Sequence, residues 1–336
     1  MSPTTVSPQW IISKTEDMTW FIGSALVSYL ALALMTAGFP LAPLMFVWLL
    51  GVDGPHVLAT VTRTYCDREQ RAKLGALLWI PIPLLLIGPL MTLAGYASLF
   101  YLFAVCWQHF HIVKQHFGFV MLYKAKNRER DRIDFHLDRW FLLGSLFLPL
   151  MIFIARTQNL VIHSAVTPWI LGVASVAYGT LTAAWLWRQV QKHRSGQLMN
   201  WPKLALLATV VPLQWLALLH ASQYGSDGII RAGIALGLFH SFQYHRLLWF
   251  HNKNRYGQPG AGARFGLAAS LASSSAAYFA VAVGLHFLLM FLPQVVFRAE
   301  LLSASIWGFS FAHYILDGKI WHVKSDRELA TALQMA

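Results

Sequence analysis

The chain has 336 residues, of which 57% are hydrophobic and 12% charged, with a mean hydropathy of +0.50 and a net charge of +12. That balance excludes an ordinary soluble domain, and the apolar runs recur along the whole length, leaving no room for a soluble domain beside them. Two cysteines, Cys66 and Cys106, exclude a disulfide framework and a four-thiolate cluster, so any metal must be held by nitrogen and oxygen.

The opening, MSPTTVSPQWIISKTEDMTW, has neither a basic start nor a small-residue cleavage site ahead of its first apolar run, and is therefore expected to stay in place. Apolar runs of about 20 residues, enough to cross a ~30 Å hydrocarbon core, follow one another from there. The hydropathy pattern predicts spans near 20–38, 41–62, 74–94, 96–123, 140–156, 165–187, 204–221, 229–250, 265–292 and 300–321. GVDGPH interrupts the second and FHSFQYHR the eighth, and the fifth is short, so the count lies between eight and ten.

Lys and Arg separate the two sides of these spans. The segments after the even-numbered spans hold 21 of the 26 basic residues: four at 63–73, six at 124–139, four at 188–203, four at 246–264 and three at 319–327. The opposite loops hold only Arg156, Arg231 and Arg298. This positive-inside bias predicts ten spans with both termini cytoplasmic. The fold class is thus an all-α, polytopic transmembrane helix bundle of a bacterial inner (plasma) membrane. Residues 1–19 form a cytoplasmic N-terminal segment, 20–322 a single bundle and 323–336 a cytoplasmic tail. The net charge follows topology and implies no nucleic-acid partner; KAKNRERDRIDFHLDR at 124–139 reads as a solvated loop against anionic lipid.

The informative residues lie within the even spans. His56, His116, His240 and His313 each precede the first basic residue of the following loop by six to eight positions. At ~1.5 Å of rise per residue they share one layer about 10 Å inside the cytoplasmic face. Asp53 lies three residues before His56 and Asp317 four after His313, spacings that put each pair on one helix face. His109 lies seven residues before His116 on the same stripe, whereas His111 lines up with Gln108 and Gln115 on the neighbouring one. Gln243 follows His240 by one turn, and His245 abuts Arg246.

A single histidine in a membrane helix is ordinarily an interhelical hydrogen bond. Four helices repeating the placement, with acidic partners at helical spacing, favour a metal site. Imidazole with a few carboxylates suits iron, zinc, copper or manganese, and six to eight such ligands suit two ions rather than one. His136, His193 and His251 read as solvated loop residues, His163 and His220 as belonging to the other face, and His286 as an interhelical contact. Lys114 is expected to snorkel.

GPHVLAT at 54–60, HFG at 116–118 and the paired histidines of FHSFQYH at 239–245 resemble the integral-membrane non-haem iron oxidases. That group comprises the fatty-acid desaturases and hydroxylases, the alkane hydroxylases and, in strongest resemblance, the bacterial retinal-forming carotene dioxygenases. The HxxxH and HxxHH boxes of desaturases are absent; this chain has HxHxxxxH at 109–116 and HxxxxH at 240–245. The resemblance implies an O2-using iron enzyme that oxidises, hydroxylates, desaturates or cleaves a hydrophobic lipid-like substrate, the two ions being implied by the ligand count. An electron-donor protein is then a possible partner. It implies His56, His109, His111, His116, His240, His245 and His313 as metal ligands, Asp317 as a ligand or as the acceptor orienting His313, and Asp53 as the acceptor orienting His56. The competing readings are a zinc-dependent intramembrane lipid hydrolase, which needs fewer ligands, a cation- or proton-coupled transporter, and a haem carrier with histidine pairs as axial ligands.

The charge pattern is tested by reporter fusions. A reporter after residue 130 or 258 is expected in the cytoplasm, and one at 225 or 296 on the opposite side. Termini on opposite sides would overturn the ten-span topology.

Overall fold

A computed structural model describes residues 8–157, 165–225, 227–297 and 300–335. The described residues are helical and contain no strand. The long helical segments are, in chain order, α1 (Lys14–Thr36), α2 (Leu41–Thr64), α3 (Arg68–Leu93), α4 (Ala97–Lys126), α5 (Arg132–Thr157), α6 (Thr167–Arg194), α7 (Trp201–Ala221), α8 (Asp227–Tyr256), α9 (Ser275–Val296) and α10 (Glu300–Ile320). Seven of them are long and apolar enough to cross a membrane, as befits a membrane protein. The other three, α4, α8 and α10, run 30, 30 and 21 residues but carry the histidines, glutamines and charges that lower their hydropathy.

Several boundaries differ from the sequence reading, α3, α5, α6 and α8 running six to eight residues further at one end, and two others shift for local reasons. The first helix begins at Lys14 rather than near 20, because Ser13 accepts from Glu16 N at its start and the buried Asp17 carboxylate takes the Ile11 and Ile12 amides at 2.7 and 3.0 Å. The ninth span starts at Ser275 rather than 265. Gly266 sits at φ +68 between two short helices, Ala261–Phe265 and Leu267–Leu271, and Ser274 caps α9 by accepting from Ala277 N. His163 and Arg298 lie outside the described residues.

The helices gather into two compact units, Met1–Leu41 with Ile112–His240, and Ala42–His111 with Ser241–Ala336. In the first, the stretch expected as a solvated loop is instead the edge of a buried ion network. Lys124 Nζ reaches Asp138 at 2.6 Å, Lys203 reaches Asp138 and Glu129 each at 2.9 Å, and Lys192 reaches Glu129 at 2.6 Å and Asp134 at 2.8 Å. Trp185 Nε1 donates to Asp138, and Arg188 closes on Asp134 at 2.7 Å. Lys203 is 1% exposed and Asp138 1%, so these charges have left water and depend on one another. His136 and His193 are exposed, as expected, but lie on α5 and α6 rather than in loops. Trp169, Val173 and Val176 of α6 stand exposed along one helix face.

The second unit is built on close backbone packing. A Cβ on Gly308 of α10 would lie 2.5 to 2.7 Å from the backbone of Leu84 and Leu85 in α3, and one on Gly88 of α3 would overlap the Ala304 carbonyl. Glycine is therefore required at both positions, and Ser305 Oγ donates to the Leu85 carbonyl at 2.8 Å across the same seam. The segment 323–336, expected as a tail, folds back. A short helix, Arg327–Ala332, is held by Arg255 on Glu328 at 2.6 Å and by Asn254 Nδ2 on the Ala332 carbonyl at 2.8 Å, with Leu329 and Leu333 buried. His251, expected in a solvated loop, is fully buried in α8.

Glu129 makes the first network sensitive to acid. Burial alone would raise its carboxyl, but Lys203, the hydrogen bond from Lys192 and the charge of Lys124 hold it at about 2. With the folded value depressed, its stabilisation is fully present above the ordinary value of 4.5 and is lost as pH falls towards 2. Melting of the detergent-solubilised protein between pH 5 and 3 is expected to fall less steeply in Glu129→Gln than in the unchanged protein. Lys203→Met, which strips a partner from two buried carboxylates, is expected to cost about 3 kcal/mol or more at neutral pH.

Candidate metal centre

Three imidazoles converge in the second unit. His56 comes from α2, His111 from α4 and His313 from α10, and one ligand nitrogen of each lies within 4.8 Å of the others. Their exposures of 2%, 8% and 2% put the group in the interior.

The path of α2 to His56 is shaped by its sequence. Pro55 has no amide hydrogen and its ring crowds the carbonyl four residues back, and the helix widens into a π stretch over Val47–Asp53 before resuming at Gly54. Gly54 is also required by contact, since a Cβ there would overlap the His286 ring. His286 itself is followed by a second π stretch, Phe287–Phe291, so both helices leave regular α geometry beside the same contact.

Hydrogen bonding orients the ring of His313. Thr60, one turn after His56, donates its hydroxyl hydrogen to Asp317 Oδ1 at 2.9 Å, and Tyr244 donates to the same oxygen at 2.9 Å. Thr60 Oγ1 also lies 2.7 Å from His313 Nδ1. In the tautomer that sends the threonine proton to Asp317, Nδ1–H is the donor in this contact and His313 Nε2 keeps its lone pair for a metal. Asp317 is 3.7 Å from His313 Nδ1, too far for a hydrogen bond, so it orients the ring through Thr60.

His313 Nε2 faces His111 Nε2 at 3.2 Å. Two nitrogens bound to one ion at ~2.1 Å are separated by roughly 3.0 Å at a right angle and 3.4 Å at a tetrahedral angle. The observed spacing falls between them. His56 completes the set, its ring centre 4.6 Å from that of His313 and 4.3 Å from that of Tyr244. The surroundings are aromatic: Tyr314 stacks on His111 at 4.4 Å, and Trp107 stacks on Phe311 at 4.7 Å. The His111–His313 pair therefore has the spacing of two ligands on one divalent ion, one of them oriented by a carboxylate through a hydroxyl, and His56, with a ligand nitrogen within 4.8 Å of theirs, stands as the third candidate ligand.

The other histidines are placed differently. His245 uses both nitrogens within the protein, Nε2 against the Val52 carbonyl at 3.1 Å and Nδ1 against Tyr278 OH at 3.2 Å. Asp53 accepts from Ser241 Oγ at 2.9 Å. His109 is buried on α4. His116 and His240 belong to the first unit, where the His116 ring stacks on Phe239 at 5.5 Å and the His240 carbonyl accepts from Gln115 Nε2 at 2.8 Å. His322 is exposed, with Nε2 on the Gly318 carbonyl, and Lys114 is exposed. Among the described residues His56, His111 and His313 are the one set of three whose ligand atoms meet. Thr60 and Tyr244 were not singled out by the sequence as site residues, although Thr60 stands four residues after His56 on the same face.

Compared with known proteins, the chain matches no family model, no curated protein and no solved structure.

The Thr60 contact has a measurable role. Thr60→Val keeps the shape but removes the hydroxyl between His313 and Asp317, and is expected to lower metal affinity by ~10 to 100-fold with the three histidines in place. Thr60→Ser is expected to restore it. Titration of the purified apoprotein with Fe(II) or Zn(II) reads the difference, and equal affinities in Thr60→Val and the unchanged protein would remove Thr60 from the site.

Proposed function

We propose that this protein is a membrane-embedded, metal-dependent oxidoreductase that uses iron and O2 to oxidise a hydrophobic, lipid-like molecule, in a bacterial inner membrane with both termini cytoplasmic. The observation that carries this reading is the convergence of His56, His111 and His313 in a buried, aromatic-walled interior. An iron ion bound there would supply the affinity for O2 and the electron-transfer chemistry that the side chains lack.

The chain's own residues do the rest. Thr60, Asp317 and Tyr244 hold the His313 ring so that Nε2 points to His111. Trp107, Phe311 and Tyr314 surround the histidines with apolar surface, which excludes water from reactive species and suits a substrate arriving from the bilayer. The Asp317 oxygen on this side is taken up by two hydroxyls, so it is poorly placed to act as the general base that hydrolysis by metal-bound water requires.

A zinc-dependent lipid hydrolase is the second reading, favoured by the ligand count. One set of three histidines with a coordination position left for water is the usual donor set of mononuclear zinc catalysis, whereas a pair of ions would need more ligands than meet here.

Metal analysis and oxygen uptake separate the two. The purified protein is expected to carry about one iron per chain, as a single three-nitrogen set implies. His111→Ala with His313→Ala is expected to abolish that content, and O2 uptake is expected to require an added lipid-like substrate. Stoichiometric zinc without O2 uptake would replace the oxidative reading by the hydrolytic one. Full metal content in the double variant would make the histidines interhelical contacts only.

A further inference from the structure

Two helices of the histidine site, α2 and α10, and α8, which supplies Tyr244, carry a second, largely buried polar group one to two turns further along. Arg63 follows His56 by seven residues on α2, Trp321 follows Asp317 by four at the end of α10, and His251 follows Tyr244 by seven on α8. Arg63 is 2% exposed and His251 0%. The Arg63 guanidinium lies over the Trp321 indole, 4.2 Å from its centroid, and the His251 ring centre is 5.7 Å from that of Trp321.

These groups are under-satisfied. Arg63 Nη2 donates to the Ile320 carbonyl at 2.7 Å, but its Nε and Nη1 and the Trp321 Nε1 are buried without an acceptor among the described residues. The Asp317 carboxylate adds an attractive field and no hydrogen bond. Arg255 in the same unit shows how the fold treats a structural arginine: it meets Asp67, Glu69 and Glu328. Arg63 forms no such ion pair. His251 directs Nδ1 to the Asn252 side-chain oxygen at 3.0 Å, so that nitrogen carries a proton. A buried guanidinium with unused N–H donors, beside an indole N–H, is the chemistry that recognises an oxyanion.

We propose that Arg63 and Trp321 bind the carboxylate of an acidic, long-chain lipid substrate whose apolar chain extends towards His56, His111 and His313. Seven residues of helix separate Arg63 from His56, about 10 Å, so the reacting carbons lie many bonds from the carboxylate. This deepens the oxidative reading and depends on it for the apolar half of the substrate only. Binding of the acid end requires neither metal nor turnover.

The test is calorimetric titration of the full, metal-free chain in dodecyl maltoside with sodium oleate, methyl oleate, sodium acetate and inorganic phosphate. Oleate is expected to bind at least ~10-fold more tightly than its methyl ester, as removing the charge removes the charge-assisted hydrogen bonds. Arg63→Gln is expected to erase that preference, and Trp321→Phe, which keeps the ring over which Arg63 lies, to reduce it several-fold without altering ester binding. Equal binding of acid and ester would overturn the proposal. So would acetate or phosphate binding as tightly as oleate, which would mark a site for a free anion. If Arg63→Gln does not fold, Trp321→Phe decides alone, an unchanged acid-to-ester ratio overturning the assignment. Loss of the metal reading would leave the acid preference intact, so the two failures are distinguishable.

Discussion

A polar side chain inside a membrane helix has no water to fall back on, and so must find its partner within the protein. That constraint organises the second unit. Asp317 is tolerable in α10 because Thr60 and Tyr244 both donate to it, and those bonds in turn leave Thr60 as the acceptor for His313. A requirement of solvation thereby becomes a requirement of orientation: the cheapest way to bury the aspartate also decides which nitrogen of His313 faces His111. The same reasoning gives His245 a structural occupation, since both of its nitrogens are satisfied by Val52 and Tyr278.

Backbone contact supports this arrangement. Gly88 and Gly308 let α3 and α10 touch main chain to main chain, which fixes the axis on which His313 rides. Gly54 lets α2 pack against the His286 ring, and the π stretch ahead of Pro55 absorbs the register change that proline imposes. Such contacts depend on the absence of a side chain, so they hold position without adding any polar group that would itself need a partner.

Much of the helix layout was legible in the sequence, because a span of about 20 apolar residues is a demand of bilayer thickness that few local effects can override. The placement of His56, His116, His240 and His313 within the even spans was legible as well, and all four are buried. Which of them meet was not. Helical spacing on α4 pairs His109 with His116 and sets His111 on a neighbouring stripe, but spacing gives angles around one axis and says nothing of which stripe faces α2 and α10. Buried charges were also misread. Lys124, Lys192 and Lys203 look like loop residues, since an isolated lysine belongs in water; their burial depends on Glu129, Asp134 and Asp138, and the Glu129–Lys203 contact spans 74 positions. Arg63 was read as the first residue of a loop by the same rule, and it is buried.

That long-range closure has a consequence in time. Asp138 can join Lys124 as soon as the following turn of chain exists, 14 residues on, but Glu129 waits for Lys192 and then for Lys203. A chain emerging from the ribosome in order therefore completes its first unit's charge balance only when the start of α7 has been made. Until then Glu129 is a carboxylate lacking its strongest partners and best kept in water, so the lock on α4, α5 and α6 is set by a helix synthesised after all three.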